Sequence, residues 1–140
     1  MKCDDLKRFN CDNPVQSIKA IKTPNEAYAF IRSMCKDAPV NNSWIGTSKL
    51  LHFLNPNFFP IWDSRIAVIF GFTTYRYNKW DVYLEYTQFM HNQAAKFGSR
   101  FCGMAALIDD TYGYTPSDIR CIEFFLFTVS VREAESEKNL

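Results

Sequence analysis

The same helix-start signature occurs twice in this chain, and it constrains the fold more than any other feature. Thr23-Pro24-Asn25-Glu26 and Thr115-Pro116-Ser117-Asp118 each place Thr at an N-cap, Pro at the first helical position and an acid at the third. The Thr oxygen can accept a backbone N–H of the first turn. Pro lacks an N–H that would find no partner there, and the acid closes a capping box. After the first signature, Ala27, Phe30, Ile31, Met34 and Cys35 recur at three-four spacing. They predict an amphipathic helix that stops before Pro39, because the residue preceding a proline avoids the α region. After the second, Cys121 to Val131 is almost wholly apolar. The upstream cap and the length of the run favour a helix over a buried strand, with a charged, frayed tail over 132–140.

Between these points the pattern stays helical. Trp80, Tyr83, Leu84, Thr87, Met90 and Ala94 describe a longer helix interrupted at Gly98, and a further helix fits Ser99 to Ile108. Asn41-Asn42-Ser43 reads as a turn, and Trp44 to Ser48 leads into the short apolar run Leu50 to Leu54, closed by Asn55-Pro56-Asn57. Phe58 to Trp62 is extended by Pro60, Asp63 caps a helix over Ser64 to Phe70, and Gly71 ends it. Thr73 to Asn78 reads as a loop. The expectation is an all-α fold, a single compact domain of six or seven short helices with its core over 14–131. At 140 residues the chain can bury a core without staples.

Composition excludes several classes. A 47% hydrophobic, 22% charged chain is neither disordered nor fibrous, and no apolar run approaches the roughly 20 residues of a membrane span. Met1 to Asn10 is charged and has no apolar h-region, so the expected location is the cytoplasm. Cys3, Cys11, Cys35, Cys102 and Cys121 form no C-x-x-C pair. They read as reduced thiols, and neither a metal nor a cofactor is expected. The net charge is only +1, but residues 38–80 carry +3 and residues 101–140 carry −4. The chain is polarised if those segments form separate surfaces.

The informative stretch is Trp44 to Phe70. A Gly-containing turn at Gly46 opens a helix whose backbone N–H groups, with Thr47, Ser48 and Lys49, could meet a phosphate. An extended segment then returns to a second helix start at Asp63, so the turn and the carboxylate could share a cleft. Here the order of elements resembles the helix-hairpin-helix DNA glycosylase superfamily. That family's hairpin reads like L-P-G-V-G-x-[KS]-[TV]-A and its catalytic stretch like H-F-P-I-L-D-x-N-V. Ile45-Gly46-Thr47-Ser48 resembles the end of the hairpin, and Phe58-Phe59-Pro60-Ile61-Trp62-Asp63-Ser64-Arg65-Ile66 resembles the catalytic stretch. The stretch is also similar to bacterial and phage proteins with a K-x-L-H-F-x-x-P-x-x-F-P-I-x-D-S-R pattern. Trp44 stands where the family's hairpin has its first Gly. Ser48 stands where some members have a Schiff-base lysine, with Lys49 one residue beyond.

The resemblance implies a DNA-binding protein of base-repair type that cleaves an N-glycosidic bond. Asp63 would be the essential carboxylate and Lys49 a lyase nucleophile or phosphate contact. Gly46, Thr47, Ser48 and Arg65 would contact nucleic acid, and Trp62, Trp80 and Tyr83 would stack on an extruded base. Each residue also has a plainer reading. Asp63 is an N-cap, Lys49 a surface lysine, His52 a hydrogen-bonded core histidine and the aromatics core. Arg65 is a candidate ion-pair partner for Glu123, which stands in an apolar run and needs one if buried. The alternative function is a non-catalytic interaction protein of phage or mobile-element type that keeps the fold and binds a protein partner or small ligand.

Overall fold

The computed structural model describes residues 14–34, 40, 42–72 and 77–140. Those residues are mostly helical and contain no strand, so the all-α expectation holds. The helices are α1 (Pro14–Lys19), α2 (Pro24–Ser33), α3 (Trp44–Leu54), α4 (Ser64–Ile69), α5 (Trp80–Phe97), α6 (Cys102–Tyr112) and α7 (Asp118–Lys138), with a 3-10 turn at Gly98–Phe101. Cys3, Cys11, Cys35, Pro39, Asn41 and Arg76 lie outside the described residues, as does most of the expected Thr73–Asn78 loop.

Helix α2 starts as its signature requires. Thr23 Oγ1 accepts the Glu26 N–H at 3.2 Å, and Glu26 Oε2 reaches back to the Lys22 N–H at 2.8 Å. Ala27 and Ile31 turn inward against α5, the central helix. Helix α5 buries Tyr83, Leu84, Tyr86, Thr87, Met90 and His91 and runs to Gly98.

Three starts or ends differ from the sequence reading. Helix α3 begins at Trp44, not in the apolar run from Leu50, because Ser43 Oγ accepts the Gly46 N–H and Asn78 Oδ1 accepts the Trp44 N–H. Gly46 is therefore inside the first helical turn. A Cβ there would meet Val40 Cγ1 at 3.0 Å, so its small size suits a close approach. Helix α7 is capped by Ser117, whose hydroxyl accepts the Arg120 N–H and donates to Pro56 O. That second bond ties the cap to the rest of the fold, which Thr115 does not. The expected frayed tail is helical through Lys138, although its side chains from Arg132 onward are exposed.

The core gathers Ile18, Ile31, Phe59, Trp62, Tyr83 and Met90. Trp44 stacks on Tyr83 with centroids 5.6 Å apart, and Trp62 packs against Tyr86 at 4.6 Å. Helix α7 closes the domain by packing its first turns on α4 and α5. No described helix is long and apolar enough to cross a membrane.

Candidate functional site

The segment Phe58–Trp62 runs between α3 and α4 with no strand beside it. It begins in a turn, not extended as its Pro suggested, with the Phe58 and Phe59 N–H groups on Asn55 O. Its other backbone polar groups need partners elsewhere. Side chains from three helices supply them. His91 Nε2–H donates to Phe58 O at 2.9 Å, and the Nδ1 of that ring accepts from the Tyr28 hydroxyl at 2.8 Å. His52 Nδ1–H donates to Phe59 O at 2.8 Å. The Tyr83 hydroxyl donates to Pro60 O at 2.9 Å. The Ile61 N–H donates to Glu123 Oε1, and the Trp62 N–H donates to Ser48 Oγ at 2.9 Å. A carbonyl can only accept, which fixes the proton on the histidine nitrogen facing it. Burial pushes both imidazoles below the usual histidine range.

Asp63 follows this segment directly. Its Oδ1 accepts the Ile66 N–H at 2.9 Å and starts α4, while Oδ2 takes no hydrogen bond among the described residues. Asp63 opens onto a cleft of about 260 Å³ lined by Lys49, Ile61, Ile66, Arg120, Glu123, Phe124 and Phe127. Lys49 and Asp63 thus line one cleft, but Gly46, whose turn was expected to share it, does not. Lys49 is exposed and makes no ion pair among the described residues.

Helix α7 supplies the part of the cleft that the sequence reading did not assign to it. Glu123 is only 2% exposed, and Arg120 Nη1–H donates to its Oε2 at 2.7 Å. Burial pushes the Glu123 carboxyl up to about 7. Arg120 and the Ile61 N–H oppose that rise, and the Asp63 charge adds to it. Arg120 also lies over the Phe124 ring, 4.6 Å from its centroid. On α5 the Tyr86 hydroxyl is buried without a hydrogen-bond partner among the described residues. Burial raises its ionisation well above the usual value, and the charges of Glu123 and Asp63 add to that.

Several expected assignments do not fit these positions. Trp62 and Tyr83 are sealed in the core, and Trp80 packs against it outside the cleft, so none of the three offers the cleft a stacking face. Phe124 and Phe127 wall it instead. Thr47 and Ser48 are fully buried; Thr47 Oγ1 accepts the Val40 N–H, and Ser48 holds Trp62. Ser43 and Asn78 already hold the Gly46 and Trp44 N–H groups, so two of the donors in the first turn of α3 are not free for a phosphate. Arg65 does not pair with Glu123, because Arg120 holds that carboxylate; Arg65 sits over the Phe127 ring at 5.3 Å. The sequence signal for Glu123 was a lone acid in an apolar run. Nothing marked Arg120 as its partner except the spacing of one helical turn.

No family model, curated protein or solved structure matches the chain. Among the described residues, no group of three or more His, Cys, Asp or Glu side chains could hold a metal ion.

Proposed function

We propose that this chain binds DNA and cleaves an N-glycosidic bond, in the manner of a helix-hairpin-helix base glycosylase, with the Asp63 cleft as its active site. One observation carries the reading: Asp63, with an oxygen left over from capping, and Lys49, which makes no ion pair among the described residues, line the same cleft. The resemblance of Phe58–Ile66 to the family's catalytic stretch supports the same assignment. A volume near 260 Å³ lies below the roughly 300 Å³ at which drug-sized ligand sites begin, which suits a single extruded base better than a larger molecule.

In this reading the Asp63 carboxylate stabilises the positive charge that builds on the sugar as the bond to the base breaks. Phe124 and Phe127 hold the ring. Either Lys49 contacts a flanking phosphate while water attacks the sugar carbon, or its neutral amine attacks that carbon. In both cases the base leaves with the proton that the nucleophile gives up. The test is base release from a duplex panel carrying oxidised, deaminated and alkylated bases, alongside binding at about 50 mM salt. Salt-dependent binding with base release that Asp63→Asn abolishes is the expected result. Absence of salt-dependent binding overturns the proposal, and binding without release removes its enzymatic half.

A second reading has its own support. Leu107, Tyr112, Tyr114 and Phe125 are exposed on α6, α7 and the turn between them. Exposed apolar side chains of that size suit a protein partner. Under that reading the cleft keeps only its structural bonds.

A further inference from the structure

We propose that Glu123 is the positioning residue of the Asp63 cleft: it fixes the segment that presents Asp63 through Ile61, aims Arg120 into the cleft, and does both only as a carboxylate. The inference rests on reading the cleft as an active site and adds a pH control to it.

The geometry explains why ionisation matters. One oxygen of Glu123 faces the Ile61 N–H and the other faces the Arg120 guanidinium, so both oxygens meet donors. A protonated carboxyl carries its hydrogen on one of them, which makes that oxygen the poorer acceptor and removes the negative charge that both donors meet. At least one of the two bonds is then weakened. At 2% exposure there is little room for water to take that proton instead. Ile61 lies two residues before Asp63, so weakening its bond loosens one of three ties on the chain that presents the carboxylate, the other two being Tyr83 on Pro60 O and Ser48 on the Trp62 N–H. Losing the other bond instead leaves Arg120 to Tyr114 and the Phe124 ring.

The surroundings set where this happens. Arg120 from α7 favours the charged form, and Asp63 at the start of α4 disfavours it. Tyr83 and Tyr86 from α5 bury the site and feel the Glu123 charge. Lys49 from α3 lines the same cleft, and His52 on that helix senses Arg120. Burial of Glu123 outweighs its two donors and brings the carboxyl up to about 7, so the change falls near neutral pH.

The experiment is an NMR titration of the full chain between about pH 5.5 and 8.5, following the Ile61 and Asp63 amides and the Glu123 side-chain carboxyl carbon. The expected result is one shared midpoint near neutrality. As pH falls towards it, Ile61 amide exchange, relative to its intrinsic rate, should accelerate about tenfold per pH unit, and it should level off below it. Glu123→Gln should abolish the titration at Ile61, and Arg120→Leu should raise the shared midpoint by about one unit or more. An Ile61 amide that stays flat while Glu123 titrates overturns the proposal, as does a titration that persists in Glu123→Gln. Should Glu123→Gln fail to fold, the wild-type and Arg120→Leu titrations decide alone. None of these readouts uses base release, so a chain without glycosylase activity still answers the question. If base release is found, a pH profile unchanged in Glu123→Gln also overturns the positioning role.

Discussion

Ser48 and Trp62 meet across fourteen residues of sequence, the Trp62 N–H donating to Ser48 Oγ at 2.9 Å in a fully buried position. The same hydroxyl lies 3.2 Å from Trp62 O and 2.9 Å from Ile45 O, either of which can take its single proton. One small side chain thus anchors the end of the Phe58–Trp62 segment to α3. Ser48→Ala leaves the buried Trp62 N–H without an acceptor, and the expected cost is about 1–3 kcal/mol. Urea unfolding should show a lower midpoint with an unchanged slope.

Glu123 makes stability depend on pH with a definite sign. Its carboxyl is raised in the folded chain to about 7 from an ordinary value of 4.5. The folded state therefore binds the extra proton more tightly, and this contribution is present below 4.5 and lost as pH rises through 7. Its full size is about 3 kcal/mol. Subtracting the Glu123→Gln stability curve from the wild-type curve should leave a component that falls across that window.

The two histidines act in the opposite direction. Burial lowers both, so the folded state disfavours the proton, and their contribution is present above the ordinary value of 6.5 and lost as pH falls. His91→Leu strips the partners from Phe58 O and the Tyr28 hydroxyl. It should cost about 1–3 kcal/mol at pH 8 and make the acid-side loss of stability shallower. Thermal melts at several pH values check both effects.

Asp63 has a structural duty separate from any chemistry. Asp63→Ala removes the cap of α4 and should cost about 1 kcal/mol, whereas Asp63→Asn caps nearly as well and should cost only a few tenths. Comparing the two by chemical denaturation separates a folding defect from a loss of base release.

Lys49 is exposed, so Lys49→Ala should change stability by no more than about 0.5 kcal/mol. If DNA binds through this cleft, the slope of log K against log salt should fall in magnitude by about one for any duplex sequence.

What the sequence disclosed depended on how local the cause was. The cap at Thr23, the face of α5 and the Asp63 start of α4 arise within a few residues, and each could be read from the chain. Ser117 prevails over Thr115 because its hydroxyl also bonds Pro56 O, a partner 61 residues away. The Trp44 start of α3 leans on Asn78, 34 residues off. The cleft was half legible: Lys49 and Asp63 lie on neighbouring elements, but its other wall comes from α7, and nothing local places Glu123 beside Ile61. Trp62 and Tyr83 invited a stacking role because an aromatic looks the same in sequence whether it faces a ligand or the core.

The bonds that hold Phe58–Trp62 also dictate when that segment can become ordered. Its partners lie 14 residues away at Ser48, 23 at Tyr83, 33 at His91 and 62 at Glu123. Its near partners serve only its first two residues: Asn55 O accepts the Phe58 and Phe59 N–H groups, and His52, at a separation of 7, holds Phe59 O. A stretch with so little local support gains its enthalpy after most of the loop-closure entropy has been spent. The helices α3, α5 and α7 must therefore dock before the Pro60–Trp62 end of the segment has anything to bind. Substitutions along this segment should then speed unfolding while leaving the folding rate nearly untouched.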